Sequence, residues 1–591
     1  MGFDFAIIGG GLTASAMLHQ LVAKARAKIT SGSLDPSKIN VQVFEKQDVF
    51  GPGFPHSDKN VMPFHITNMC AHDMGIAPGD PGDFQQWITT NRSMLKDRFQ
   101  GLQDVVCIPD SVPNPCNHYP RAVMGEYLKT RFQQAVRQAC ELGLKVDLHP
   151  RSEIADLREE GDRVRLVGKS LLSGRSFSRT ADRVLLATGH WREEDGHDNY
   201  FASPWPAAEL LRRIPEGVNV AVIGTSLSAI EVVLTLTSEG KFIRNDSQGL
   251  VYEPSHNPRK IALYSRRGLL PKVRGKLGGR RNRILTRENA ERLLIENHGH
   301  VTLEAIFELL HSELEVAYGH PIDWGKISNP KGSPQELLRR YLKDSRDGDG
   351  PDGEIIWQTV LHQTFPMVRE LYLKLRIDDR KRFERDYSTI FFTHAATQPS
   401  INAEKLLALM NCGIVEVFKL GENYRFVRDD PNGGFEFIRL NNQGKITRDV
   451  YRYVVNARGQ ERSIETDPSA LTRNLLEHGV VQIEEVPDVD RPLVWGRGLA
   501  GDLQPEPRTY KVGSIWIDPQ THQIMKTGSD GKTTRSNTIY AVGAMTRGQI
   551  IDTSMAHGLV RSTAIVAERW VHELTELYAG ESAGLGPGFK H

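Results

Sequence analysis

Two hydrophobic periods alternate along this chain, and the first switch between them comes within fifteen residues. Asp4-Phe5-Ala6-Ile7-Ile8 is an apolar run of strand length, and from Thr13 the residues Ala14, Met17, Leu18, Leu21 and Val22 recur at helical spacing. Gly9, Gly10 and Gly11 join the two. A strand running through glycines into a helix predicts a dinucleotide turn: Gly9 for the tight bend, Gly11 for backbone approach to a pyrophosphate, and small Ala14 for close helix–strand packing. The helix start then offers unpaired N–H groups to phosphate. The next strand, Val41 to Phe44, ends in Glu45, the acid expected at a ribose. Glu45 lies 34 residues after Gly11, beyond the usual spacing of roughly 20, because the polar stretch TSGSLDPSKIN intervenes.

Residues 51–91 are rich in Gly and Pro and end in a short helix from Phe84 to Ile88, which predicts a loop ordered over a ligand. A helix over 118–143 enters through Pro120 and turns Met124, Tyr127, Leu128, Phe132 and Val136 to one face. The strands KVDLHP and RVRLVGK follow, then RVLLATG, which ends at Gly189 near the predicted cofactor. GVNVAVIGTSLSAIEVVLTL (217–236) repeats the opening pattern, with Gly224 at the bend and Ser226 where the second glycine would stand. The strand after it ends in Ser265-Arg266-Arg267 instead of an acid, and arginine there suits a 2′-phosphate, so the second unit predicts NADPH. From 276 to 400 the period is mainly helical, broken by a polar turn at 344–353 that is expected to be flexible. Strands return over 413–459. A last one, Ile539 to Val542, ends at Gly543 before a helix over 553–574, leaving a tail that reads as disordered.

Charge and cysteine content narrow the chemistry. Among 591 residues, 74 Lys and Arg balance 73 Asp and Glu, so a nucleic acid or an anionic membrane surface is not the expected partner. No apolar run approaches the roughly 20 residues of a membrane span, and the first strand begins too early for a signal peptide, so a soluble cytoplasmic protein is expected. Ala6 stands where myristoylation wants Ser or Thr. The five cysteines, Cys70, Cys107, Cys116, Cys140 and Cys412, contain no C-x-x-C pair, which argues against thiol–disulfide chemistry. No metal-site spacing occurs among Cys and His, and no metal is expected. Arg121, His394 and Arg547 are candidates for holding an anionic small-molecule substrate.

The first glycine motif, a GxGxPHS-like loop, PRxxMGxYL, ATGH, SRRGLLP and a terminal TRG follow one another in an order that resembles the FAD/NAD(P)-binding flavoproteins of bacteria. More distantly the chain is similar to flavin-dependent monooxygenases that hydroxylate amines or amino acids, although their F-x-G-x-x-x-H signature is absent where GHWREEDGHDNY stands. The resemblance implies that Gly9, Gly11, Ala14 and Glu45 bind FAD and that Gly543, Thr546 and Arg547 flank it; the strand–glycine patterns themselves put Gly189 near the flavin and Gly224, Ser226, Arg266 and Arg267 at NADPH. Ala544 occupies the place where most such proteins carry Asp, so the ribityl contact falls to backbone or to Thr546.

The expected fold is α/β, with two Rossmann-like dinucleotide-binding domains and a mainly helical insertion. The FAD domain is expected at 1–215 and 495–578, the NAD(P) domain at 216–275 and 388–494, the insertion at 276–387 and a flexible tail at 579–591. Three uses of the flavin are open: oxygenation of a small nucleophilic N or S substrate with molecular oxygen, hydride chemistry without oxygen transfer, and redox sensing.

Overall fold

The computed structural model describes residues 2–99, 118–192, 195, 197–245, 249–428, 434–441, 443–459, 463–487, 493–497, 503–507, 509–528 and 530–584. The chain divides into two compact units. Unit 1 comprises Met1–Arg192, Gln460–Val486 and Tyr510–His591, and unit 2 comprises Glu193–Gly459 and Pro487–Thr509.

Unit 1 is built on a six-stranded sheet in the order Gln523–Thr527, Thr533–Ala541, Arg183–Leu186, Phe3–Ile8, Ile39–Phe44, Lys145–His149. All neighbours are parallel except the first pair. Alternation along the first strand divides the core. Phe5 and Ile7 face the helices Leu12–Thr30, Arg121–Glu141 and Ala556–Gly584, with Phe5 stacked on Trp570 at 4.4 Å. Ala6 and Ile8 face an antiparallel meander, Ser152–Glu160, Arg163–Ser170 and Ser176–Ala181. The first meander strand is not foreseen in the sequence, because its charged outer positions break the apolar run.

In unit 2 the parallel sheet runs Val415–Lys419, Lys260–Ser265, Asn219–Ile223, Tyr453–Asn456, Tyr200–Phe201. From the outer strand inward the first four follow the order of the parallel part of unit 1, and the fifth differs: Tyr200–Phe201 precedes the other four in the chain, whereas Thr533–Ala541 comes last in unit 1. Again a three-stranded antiparallel meander, Arg425–Val427, Phe435–Leu440 and Ile446–Tyr451, precedes the strand that returns beside the first. The duplication therefore extends well beyond the glycine turns. Between the second and third strands lie helices from Arg287–Glu296 to Ser400–Asn411. One of them, Pro334–Asp347, starts at a capping box in which Ser333 N–H donates to Glu336 Oε2 (2.7 Å) and Glu336 N–H to Ser333 Oγ (3.2 Å).

Several boundaries differ from the sequence reading. The short strand Tyr200–Phe201 pairs with Tyr453–Asn456, which draws the stretch after Arg192 into unit 2. Helix Ala470–Glu477 packs its Leu471 and Leu475 into the core beneath the meander of unit 1, which draws 460–486 there. The turn expected to be flexible at 344–353 is tied down by Asp349, whose carboxylate accepts from Tyr318 OH and Ile356 N–H, both at 2.7 Å. The terminal helix continues to Gly584, so the first residues of the expected tail are helical, and 585–591 lie outside the described residues. Cys107 and Cys116 also lie outside them.

Candidate nucleotide-binding sites

At the end of the first strand, Gly9 adopts φ +104°. Its N–H donates to Phe44 O (2.8 Å), and a Cβ there would stand 2.2 Å from Ala187 O. Only glycine fits, both for its backbone angle and for the space. Gly10 N–H donates to Glu45 Oε2 (2.6 Å), while Gln47 N–H donates to Oε1 (2.8 Å). Glu45 is thus held against the turn, and a carboxylate with about four acceptor positions retains capacity for ribose hydroxyls. Helix Leu12–Thr30 begins at Gly11 with no side-chain cap and no acid in its first turn, leaving its leading N–H groups available to an anion.

A Cβ on Gly11 would approach Gly53 Cα at 3.2 Å, and one on Gly53 would approach Gly11 Cα at 3.1 Å. The loop after Glu45 therefore runs directly over the turn, and Gly11 must be small for this neighbour as well as for a pyrophosphate. The loop itself is anchored on helix Arg121–Glu141. Gly125 lies under His56 O, where a Cβ would be 2.2 Å away, and Gly51 lies against the Lys129 backbone. Farther along, buried Asp83 accepts from Tyr127 OH (2.5 Å) and Arg131 Nε (2.8 Å) and pairs with Arg131 through its other oxygen. Tyr127 in turn accepts from Ile76 N–H (2.8 Å). Burial, then repulsion from Arg121 and His190, lowers the His56 pKa to about 3, so this imidazole is neutral. Gly51 and Gly53 are the glycines of the GxGxPHS-like loop, whereas Asp83 has no local signal in the sequence.

Gly543, at φ +102°, closes the last strand, and a Cβ on it would come within 3.7 Å of Thr13 Oγ1 at the opening helix. The structure thus brings Gly9, Gly11, Ala14, Glu45 and Gly543 together. Thr546 is buried and its hydroxyl donates to Gly543 O (2.8 Å), so it closes its own turn. Arg547 is half-buried just beyond. Gly189 has φ +72° with open space at its Cβ position. Ala544 is buried.

Unit 2 repeats the geometry at its own turn. Gly224 has φ +125°, donates its N–H to Tyr264 O (2.7 Å), and would place a Cβ 2.8 Å from Ala457 O. Helix Leu227–Leu236 starts at Ser226, again without a side-chain cap or an acid in its first turn. Ser265 stands where Glu45 stands in unit 1, and its hydroxyl accepts from Thr225 Oγ1 (3.1 Å) and Gly268 N–H (3.0 Å). Thr225 also approaches Leu269 O at 2.6 Å, which ties the glycine turn to the segment after the strand. Arg266 is exposed at the strand end, whereas Arg267 donates to Asp386 O (3.2 Å) and is half-buried. Arg266 and Arg267 therefore differ in their commitments.

The cradle at Gly9 to Gly11, the uncapped helix start and Glu45 suit an adenosine diphosphate. Residues 6–191 match the family model described as FAD-NAD(P)-binding, and this region is an FAD/NAD(P)-binding domain of Rossmann-like fold. Over 446 residues the chain is 24% identical to the uncharacterized protein YdhS of Escherichia coli, covering 71% of this chain and 77% of that one. Among solved structures it is similar to the ornithine hydroxylase PvdA of Pseudomonas aeruginosa, with 11% identity, 97% and 100% of the two chains covered, and a TM-score of 0.48. The ornithine N-hydroxylase KtzI of Kutzneria is 12% identical, with 97% and 99% covered and a TM-score of 0.45. No helix among the described residues is long and apolar enough to cross a membrane.

Proposed function

We propose that this chain is an NADPH-dependent FAD monooxygenase that oxygenates a small molecule at a nucleophilic nitrogen or sulfur. The observation that carries the reading is the pair of equivalent glycine turns with different second-strand ends, Glu45 in one and Ser265-Arg266 in the other. The acid suits an unmodified ribose, and the serine–arginine pair suits a 2′-phosphate.

In unit 1 the start of helix Leu12–Thr30 would take the FAD pyrophosphate, Glu45 the adenosine ribose, and the Gly543 turn the part of the cofactor nearest Thr13. In unit 2 the start of helix Leu227–Leu236 would take the dinucleotide pyrophosphate, with Arg266 at the 2′-phosphate. FAD, when bound, supplies acceptance of hydride from a nicotinamide and transfer of electrons to oxygen. The protein orients the partners and excludes water, and the loop held by Gly125, Asp83 and Arg131 is the element that would cover the cofactor. The absence of a C-x-x-C pair in the sequence argues against a thiol–disulfide acceptor and leaves oxygen transfer and hydride chemistry to be separated by experiment.

The test is rapid mixing. The purified protein should carry FAD, be bleached by NADPH without oxygen, and on mixing with oxygen pass through a spectrally distinct phase before the oxidised spectrum returns. Immediate return would remove oxygen transfer and leave hydride chemistry. Failure of NADPH to bleach the flavin would overturn the enzymatic reading.

A further inference from the structure

The loop after Glu45 touches more than the glycine turn. Toward the turn, Gly51 N–H donates to Gly10 O (2.7 Å) and Gly53 packs on Gly11. Against helix Arg121–Glu141 the same loop leaves a cavity of about 290 Å³, the space of about ten water molecules at roughly 30 Å³ each. Gly9, Gly10, Gly11 and Glu45 are not in its wall, so it is separate from the nucleotide cradle. The helix supplies Ala122, Gly125, Glu126 and Lys129, a spacing that puts all four on one face. The loop supplies Pro52 and Ser57, and helix Arg92–Arg98 supplies its last residue.

The charges of this wall are balanced in number but not in pairing. Its acids are Asp48, Asp58 and Glu126, and its cations are Lys59, Arg98 and Lys129. Asp48 is matched by Lys59 Nζ (2.8 Å) and by Arg151 Nη2 (3.3 Å) from outside the wall. Among the described residues Arg98 alone serves two acids, Glu126 at 2.9 Å and Asp58 at 3.4 Å. The Lys129 ammonium has no ion pair or hydrogen bond among them, although Glu126 stands three positions before it on the same helix. One carboxylate is thus short of a cation and one ammonium is short of an acid. Charges held partly out of water without a partner are costly, and opposite ones on one wall are both matched by a molecule that carries both signs. Ser57, 7% exposed, accepts from Lys59 N–H (3.4 Å), and its own hydroxyl proton has no acceptor among the described residues. His56, also in the wall, is neutral and leaves this balance unchanged.

We propose that the cavity binds a small zwitterion, a molecule with one ammonium and one carboxylate group, its carboxylate taken by Lys129 and Ser57 and its ammonium by the Asp58–Glu126 pair. Ala122 and Pro52 pack against its apolar carbon atoms. Occupancy ties the loop to helix Arg121–Glu141 and, through Gly51 and Gly53, holds it on the glycine turn. The site stands in unit 1 and does not depend on the redox reading.

The experiment is calorimetric titration of the full-length protein with three probes: L-alanine, acetate and ethylammonium. Alanine should bind about tenfold or more tightly than either single-charge probe, as a second charge-assisted contact provides. Lys129→Met and Glu126→Gln should each weaken alanine by about tenfold or more, while Lys129→Arg retains most of the affinity. Alanine should also slow proteolysis within 51–98 in wild type and not in Lys129→Met. Should Glu126→Gln fail to fold, Lys129→Met decides alone, because its ammonium holds no other part of the described structure. Acetate that binds as tightly as alanine would make this a plain anion site, and loss of flavin from Lys129→Met would make it part of the cofactor cradle; either result overturns the proposal. So would wild-type protein that binds no alanine at tens of millimolar, or folded variants that bind it as tightly as wild type.

Discussion

Gly9 and Gly224 are structural counterparts. Each follows its strand, Phe3–Ile8 or Asn219–Ile223, with a positive φ, donates its N–H to a carbonyl of the next parallel strand, Phe44 O or Tyr264 O, and has an alanine carbonyl, of Ala187 or Ala457, where its Cβ would be. Each alanine also donates back, Ala187 N–H to Ile8 O and Ala457 N–H to Ile223 O, both at 2.8 Å. Two turns locked by the same four groups make a duplicated strand-to-helix turn, and the two differ at the end of the following strand, Glu45 in one and Ser265 in the other.

The first cradle is tested by two glycine substitutions of opposite expectation. Gly11→Val drives a branched side chain toward Gly53 Cα, 3.2 Å from the ideal Cβ, and toward the phosphate position. It should yield protein without flavin absorbance. Gly189→Ala has open space and only its positive φ to oppose it, so it should cost about 1 kcal/mol and keep the flavin. Flavin content and thermal denaturation read both.

Cofactor preference divides the two arginines. Arg266 is exposed at the strand end, so Arg266→Ala should lower the NADPH over NADH preference by about tenfold or more, the worth of a charge-assisted hydrogen bond of roughly 1.5–3 kcal/mol. Arg267→Ala removes a contact to Asp386 O and should affect stability more than preference. Rates of flavin reduction with each cofactor distinguish them, and a wild type indifferent to the 2′-phosphate would remove the assignment.

Arg131→Met leaves the Asp83 carboxylate buried with only Tyr127 for company. Losing one partner of such a pair costs about 3–5 kcal/mol. The expected result is a lower denaturation midpoint together with faster proteolysis within 51–98, since the pair anchors that loop.

Acid should weaken the same region. The His56 pKa is depressed from 6.5 to about 3, so between these values the unfolded chain binds a proton that the folded chain does not. Stability is therefore undiminished above pH 6.5 and falls below it, by up to about 1.4 kcal/mol per pH unit. Urea midpoints of wild type and His56→Gln across this window should converge as pH falls. Parallel curves would show that His56 is not the group responsible.

Much of this architecture is legible in the chain because strand-to-helix turns through glycine need particular residues at particular places. Gly9, Gly224 and Glu45 are read directly, and the Ser333–Glu336 capping box is equally plain. The two meanders are less so: their strands carry charge on one side, and short alternating runs such as Ser152–Glu160 lack the continuous apolarity of the parallel strands. Lys129 escaped notice for another reason. A lysine on a helix reads as solvated, and only the packing of the loop at 47–59 against that helix makes it part of a cavity wall. The neutrality of His394 and His56 is likewise a property of burial, which brings their pKa values to about 4 and about 3 and which no local pattern encodes.

Unit 2 draws its whole parallel sheet from residues 200–456, whereas the sheet of unit 1 needs strands at both 3–8 and 533–541. During synthesis the second unit can close its sheet while the first still waits for its final strand and for Trp570 to reach Phe5. The N-terminal third of the protein is made first and completed last. Until release it displays an unfinished sheet edge and the apolar side chains that the terminal helix will cover, which makes it the part most exposed to misassembly and to chaperones.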